Sequence, residues 1–389
     1  MKRAISVLHC PTTVAGNSLG LARAERKLGL KSITVAFGDQ NLNYPADEVL
    51  FTAGDHHVKA SLKRWGLLWR AIRSFDIVHF NFGRTIMPWY LPESKYIGTK
   101  YPRFFYEALD AYRRLEDMCD LPLLKRAGKG IVVTYQGDDA RQGDFCQANF
   151  QISTAQEVDP EYYTPESDED KRRRIATFAK YADKIYALNP DLLHVLPSRA
   201  EFLPYASVDI HDWSPVEAAG VSAGKRLTVL HAPTHRGAKG TVHVLNAVRR
   251  LQEQDKLDFE FTVVEGLPLA DARRLYERAD LLVDQLLCGW YGGLAVELMA
   301  LGKPVMCYLR ESDLEFIPAE MRRDLPVINA EPANIYEVLK EWLTKRRSEL
   351  GQVGQQSRAY VEKWHDPLKI AARLKNDYEA ILAAKGRFR

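Results

Sequence analysis

At 389 residues and 44.3 kDa the chain is about two and a half times the usual domain length, so two domains of roughly 170 to 200 residues are expected. With 46% hydrophobic, 10% aromatic and 27% charged residues it is composed like a globular protein, which excludes a mainly disordered, collagen-like or coiled-coil chain. The net charge of +3 is too small to imply nucleic acid, but residues 1–130 carry 20 Lys and Arg against 12 Asp and Glu, whereas residues 206–389 carry 26 of each. A phosphate-bearing acceptor or an anionic membrane surface would be drawn to the N-terminal part; an ordinary solvated basic face explains the excess as well.

Met1, Lys2 and Arg3 precede an apolar run, yet Ala4–Leu8 is too short for a signal-peptide core and reads as a buried first strand. The longest charge-free stretch, 4–22, holds too many polar and turn residues to span a bilayer. Further strands are expected at Ser32–Phe37, Ile77–Phe80, Ile131–Tyr135, Lys184–Leu188 and Phe202–Leu203, with amphipathic stretches between them. Lys63–Phe75 puts Trp65, Leu68, Trp69 and Ile72 on one helical face, suited either to packing on a sheet or to a membrane surface. Trp89–Lys129 is long for one crossover and suggests an extra helical excursion, and Gln151–Arg174 reads as an exposed insertion before a helix.

Turn residues from Pro204 to Lys225 mark a domain junction. The strand rhythm then repeats at Leu227–His231, Phe259–Val264, Leu281–Val283, Pro304–Cys307 and Pro326–Ile328, and Pro367–Leu382 has the spacing of an amphipathic terminal helix. The expected organisation is α/β: a Rossmann-like domain over 1–205, a second over 206–366, and a terminal helix in 367–389. The five cysteines are odd in number and lack CxxC spacing, which argues against a disulfide framework or a zinc site and fits a reducing cytoplasm.

The stretch with most chemistry is 279–308. A strand ends near Asp284, a loop carries Gly289, Gly292 and Gly293, and a helix over Leu294–Leu301 has Glu297 as its one charge. An apolar helix is buried, and a buried carboxylate is costly unless satisfied. A glycine-lined helix N-terminus with a carboxylate one turn inside suits a ligand bearing phosphate and hydroxyls, such as a nucleotide; a core Glu–Arg pair is the alternative.

The run GWYGGLAVELMALGKPV resembles the donor signature of retaining nucleotide-sugar glycosyltransferases of the GT-B fold, glycosyltransferase family 4. Glu297 matches the second Glu of the family's Glu-x7-Glu motif, which holds the ribose hydroxyls, and Gly302, Pro304 and Val305 match its end, whereas Gly289 stands where the first Glu belongs. In VLHAPTHRGAKGT, Arg236 and Lys239 resemble the family's diphosphate-binding cations, with a shortened Arg-x2-Lys spacing. Gly16 matches the glycine loop near the donor phosphates. DIVHFNFG and VVTYQGDDAR resemble strand ends facing the cleft, which makes His79 and Asp139 candidates for acceptor positioning or proton acceptance; Gln136 replaces a His that is common there.

The resemblance implies two Rossmann-like domains facing across a cleft and transfer of a sugar from a nucleotide-sugar donor with retention of configuration. The donor would be held by Gly16, Arg236, Lys239, Gly292, Gly293 and Glu297, with no metal and no other cofactor. The implied acceptor is a glycan or a lipid-diphosphate-linked glycan in bacterial cell-surface polysaccharide synthesis, at the cytoplasmic face of an anionic membrane. The substituted positions Gly289 and Gln136 leave open a non-catalytic glycan- or nucleotide-binding protein, and a sugar-nucleotide epimerase is a further alternative.

Overall fold

The structure is a computed structural model that describes residues 3–38, 45–52, 55, 57–88, 111–216 and 225–387. Two parallel sheets organise it. The first contains β1 (Ser6–Cys10), β2 (Lys31–Ala36), β3 (Glu48–Val49), β4 (Ile77–Asn81), β5 (Gly130–Tyr135), β6 (Lys184–Ala187) and β7 (Glu201–Phe202) in the order β3-β2-β1-β4-β5-β6-β7. The second contains β8 (Leu227–His231), β9 (Phe259–Val263), β10 (Leu281–Val283), β11 (Val305–Cys307) and β12 (Ile328–Asn329) in the order β12-β11-β10-β8-β9. Both are doubly wound. Strand order reverses beside β1 in one sheet and beside β8 in the other, and ligands of such sheets bind outside the carboxyl ends of the strands at those points.

The central strands β1, β4 and β5 are buried along their whole length, as parallel strands covered by helices on both faces must be. This is why their apolar runs were legible. Among the described residues, the strand without a sequence signal is β3, two exposed residues at the sheet edge. It is held by backbone pairing to β2 and by the Arg70–Glu48 ion pair.

Within the expected excursion, residues 89–110 lie outside the described residues; the rest is helical over 111–116 and Asp120–Arg126. Met1 and Lys2, and residues 217–224 of the expected junction, also lie outside. The stretch Gln151–Arg174 is no free insertion. Its first part crosses to the second sheet's side, where Arg310 donates to the Ile152 carbonyl, Thr154 meets Cys288 and Glu157 pairs with His243. Thr164 then caps the helix Pro165–Tyr181 by accepting from the Ser167 amide.

The helix Pro367–Ala384 packs back onto the first sheet and against the helix Asn17–Lys27. Tyr378 reaches both His79 Nδ1 at 2.7 Å and Glu25 Oε1 at 3.0 Å, and Tyr186 donates to Asp377 at 2.6 Å. Just before this helix the buried His365 contacts Tyr291 at 2.8 Å and the Tyr205 carbonyl at 2.9 Å, joining three stretches far apart in sequence.

Burial pushes the His365 pKa down to about 4. A histidine kept neutral in the fold adds stability above its unfolded pKa of about 6.5, and that contribution falls away as pH drops towards 4, by about 3 kcal/mol in all. Asp120 and Asp139, whose carboxyls burial raises to about 6, act in the opposite sense over much of this range. The His365 contribution is therefore read as a difference: urea unfolding from pH 7 to 4 should show wild-type stability falling more steeply than that of His365→Gln. Parallel pH profiles would remove His365 as an acid-sensitive joint.

Candidate functional site

A cavity of about 590 Å³ lies between the two sheets, at the carboxyl ends of their strands, within the size range of small-molecule sites. Its second-domain wall has three parts. Val264, Gly266, Ala272 and Tyr276 offer a largely apolar recess; Glu297 stands beside it; Lys239, Gly292 and Gly293 follow. The helix Gly293–Ala300 that carries Glu297 is buried from Ala295 onward, which accounts for its apolar sequence. Glu297 itself is buried, lines the edge of this cavity and of a smaller one of about 250 Å³, and lies near enough to Tyr276 to help burial hold that phenol neutral.

The diphosphate-binding expectations meet a specific arrangement. Lys239 Nζ donates to Gln285 Oε1 at 2.5 Å and to Asp284 Oδ1 at 3.2 Å, while the Gly292 amide donates to Asp284 Oδ2 at 2.8 Å. Asp284 thus takes the Gly292 N–H internally, leaving the first-turn amides that follow, Gly293 and Leu294, without an acceptor inside the helix. Burial opposes the Lys239 charge, but Asp284 outweighs it and raises the ammonium pKa, so Lys239 is a cation at neutral pH. A side chain at Gly292 would sit 3.4 Å from Lys239 Nζ and 3.5 Å from Asp284 Oδ2. Arg236 is mostly exposed and does not line the cavity; its guanidinium is paired in two-pronged fashion with Glu265, which does.

From the first domain, Val14 and Ala15 enter the cavity, and a side chain at Gly293 would come within 3.5 Å of Ala15 Cβ. The loop can approach this closely because Gly16 takes φ of +69° and starts the next helix at once. Gly16 itself lines the smaller cavity.

The structure places the two acid–base candidates away from the cavity. His79 is fully buried on β4, with Nδ1 on Tyr378 and Nε2 on Thr134 at 2.7 Å, and burial together with the neighbouring His9 ring drives its pKa well below the ordinary value. It is a neutral link between sheet and terminal helix. Asp139 turns back under its own loop, accepting the amides of Gln136 at 3.0 Å and Gly137 at 2.7 Å. The carboxylate facing the cleft is its neighbour Asp138, which accepts from Arg141 at 2.9 Å and from the hydroxyls of Tyr162 and Tyr163, each at 2.5 Å. Burial resists its charge, but Arg141 and the two phenols hold its pKa below the usual carboxylate value, so it is ionised. Arg141 is anchored from behind by the buried Asp191 at 2.8 Å.

Sequence reasoning therefore missed Asp138, Arg141, Tyr162, Tyr163 and Asp284. A turn residue's direction is decided by which neighbour bonds the loop amides, and adjacent aspartates carry the same local signal. Gln136 sits beside Asp138 in the cavity wall, buried, with neither amide atom of its side chain hydrogen-bonded. Buried polar groups are nearly always paired, which sets this amide apart from the other polar groups of the wall. Among the described residues, no cluster of three or more His, Cys, Asp and Glu is placed to hold a metal ion.

The departure at Gly289 has a physical cause. Its φ is +80°, and a Cβ there would meet Arg310 Nη1 at 2.6 Å. Arg310 is itself fixed by Asp313 at 2.6 Å, by the Ile152 carbonyl at 2.8 Å and by stacking 3.7 Å from the Phe150 ring centre.

No protein-family model matches the chain, and no curated protein matches its sequence. Solved structures do match in shape. Sucrose-phosphate synthase from Thermosynechococcus elongatus is 14% identical, with 98% of this chain and 100% of that one covered and a TM-score of 0.60. HepE from Anabaena, in complex with UDP-glucose, is 11% identical over 97% of this chain and 100% of its own, with a TM-score of 0.59. The MnaA–UDP structure from S. aureus is 14% identical over 98% and 97%, with a TM-score of 0.52. At these identities the likeness is one of fold. The chain has the GT-B fold, two Rossmann-like domains facing across a cleft.

Proposed function

We propose that the protein is a glycosyltransferase that takes a sugar from a nucleotide-sugar donor and transfers it with retention of configuration. The observation that carries this reading is the order of groups along the cavity wall: apolar recess, Glu297, then Lys239 with the open amides at the helix N-terminus. Base, ribose and diphosphate occur in that order in a nucleotide sugar. Solved proteins of this fold hold UDP and UDP-glucose, and one from Listeria monocytogenes is named a putative UDP-N-acetylglucosamine 2-epimerase, so an isomerising enzyme is the second reading to test.

In the proposed reaction the base occupies the recess by Val264 and Tyr276, and Glu297 accepts from the ribose hydroxyls. The leaving diphosphate gathers charge as the glycosidic bond breaks, and Lys239 with the Gly293 and Leu294 amides stabilises it. Gly16, on the loop beside Gly293, allows the first domain to close on the phosphates. Arg236 joins the phosphates by exchanging its Glu265 partner. The opposite wall, with Gln136 and ionised Asp138, orients hydroxyls of the sugar and of the acceptor. Asp138, held at low pKa, is a poor general base, so the departing phosphate takes the acceptor proton on the same face. We assign residues 1–205 to the acceptor domain, 206–366 to the donor domain and 367–389 to the returning helix. The proposed acceptor is a glycan or lipid-linked glycan, and the proposed reaction needs no metal.

The test is the thermal shift of the full chain with UDP, GDP, ADP, CMP and dTDP, followed by product analysis with sugar conjugates of the nucleotide that shifts. A ligand at about 100 times its Kd adds roughly 2.7 kcal/mol of stability. A selective shift followed by turnover that needs an acceptor supports the reading; no shift with any nucleotide overturns it. Conversion of the UDP-sugar alone into an isomer would make the enzyme an epimerase.

A further inference from the structure

The helix His57–Ser74 has two apolar faces. One packs on the first sheet: Leu67, Leu68 and Ala71 are buried. The other does not. Val58, Leu62, Trp65 and Trp69 recur at i, i+4, i+7 and i+11, a single stripe by helical spacing, and are 67%, 67%, 39% and 59% exposed. The neighbouring helical segment 111–116 extends this surface with Tyr112 and Leu115, and it is tied to the helix by the Ser61–Tyr112 and Trp65–Glu116 hydrogen bonds at 3.0 and 2.9 Å. Of the twelve most exposed large apolar side chains among the described residues, six belong to this helix and to the segment 111–116. Scattered exposed apolar residues are ordinary; a contiguous patch marks an interaction surface.

The charges beside the stripe indicate what it meets. The helix carries Lys59, Lys63, Arg64, Arg70 and Arg73 and no acidic residue. Arg64 faces inward over Phe37 and donates to the Ile86 carbonyl, but Lys59 is more than half exposed, and the Arg73 guanidinium lies 4.8 Å from the Trp69 ring centre at the edge of the patch. Asp55 and Glu48, the acids that pair with Lys59, Lys63 and Arg70, come from outside the helix. Trp and Leu on one face flanked by Lys and Arg is the pattern of a helix lying in a lipid interface, where apolar side chains enter the headgroup boundary and the cations meet anionic headgroups. A second copy of the same face would oppose cation to cation.

We infer that this surface seats the protein on an anionic membrane, with Val58, Leu62 and Trp69 inserted and Lys59 and Arg73 facing the lipid headgroups. None of these residues lines the cleft cavity, so the inference stands apart from the transferase reading.

The test is co-sedimentation of the full chain with large vesicles of phosphatidylcholine alone and with about 30% phosphatidylglycerol, at low and raised salt. Binding is expected only with the anionic vesicles and should weaken with salt. In Leu62→Ser/Trp69→Ser the partition coefficient should fall by about tenfold or more, while the melting temperature and the nucleotide shift stay as in wild type. Arg73→Glu should weaken binding to anionic vesicles without affecting the fold. No partition into anionic vesicles, or equal partition by the double variant, overturns the assignment. So does self-association of the wild type that the double variant abolishes, because the face would then belong to a second copy of the chain.

Discussion

Glu297→Ala should lose nucleotide binding while keeping its fold. The side chain is buried at the wall between the apolar recess and the Lys239 end of the cleft, on a helix whose other side chains already fill the core. Hydrogen bonds to a charged group are worth about 1.5 to 3 kcal/mol each, so losing those to a ribose should weaken the nucleotide roughly 10- to 100-fold or more. The apolar side chains of the helix keep their packing, and the melting temperature without ligand should stay close to wild type. Glu297→Gln, which keeps the shape and removes the charge, should fall between the two. Calorimetric titration with the nucleotide chosen by thermal shift would measure it, and an unchanged affinity in the alanine variant would sink the ribose assignment.

Gly289→Glu should fail to supply a working carboxylate of the kind the resembled motif carries at this position and should destabilise the protein instead. Position 289 has φ of +80°, a conformation that costs a non-glycine residue about 1 to 2 kcal/mol. Its Cβ would also press on Arg310, which cannot move away without giving up Asp313, the Ile152 carbonyl and the Phe150 ring. Together these terms come to roughly 2 to 4 kcal/mol. Denaturant unfolding should show the loss, and Gly289→Ala should show part of it. A Gly289→Glu variant that was as stable as wild type and more active would mean that the Arg310 packing is dispensable and that the departure from the motif is a catalytic deficit rather than a built feature. The expected outcome instead makes Gly289 and Arg310 one unit, through which the loop after β10 grips the segment that crosses from the first domain.

Much of this architecture was legible beforehand because its signals are local. A fully buried parallel strand must be a continuous apolar run, so β1, β4, β5, β8 and β10 appear in the sequence nearly where they fold. The helix with Glu297 was legible for the same reason: a lone carboxylate among seven apolar or glycine positions is conspicuous whatever surrounds it. Edge strand β3 was not, since two exposed residues have no pattern to show. The amphipathic helix before β4 was half legible. Its stripe could serve a sheet or a membrane, and the fold uses Leu67, Leu68 and Ala71 for the sheet while leaving Leu62 and Trp69 outside.

The sequence by itself determined the two-sheet α/β plan, the turn-rich stretch between the sheets, and the candidate donor helix with its glycines and Glu297, because each follows from periodicity and composition within a few residues. Tertiary structure decided which of two adjacent aspartates faces the cleft, that His79 bonds Tyr378 across 299 positions instead of lining the cavity, and that Asp284 occupies Lys239 and the Gly292 amide. It also decided that Arg310 fills the space a side chain at 289 would need. Hydrogen bonds and charge pairs are satisfied by whichever partner the fold brings near, and that partner carries no mark in the local sequence of the residue it satisfies.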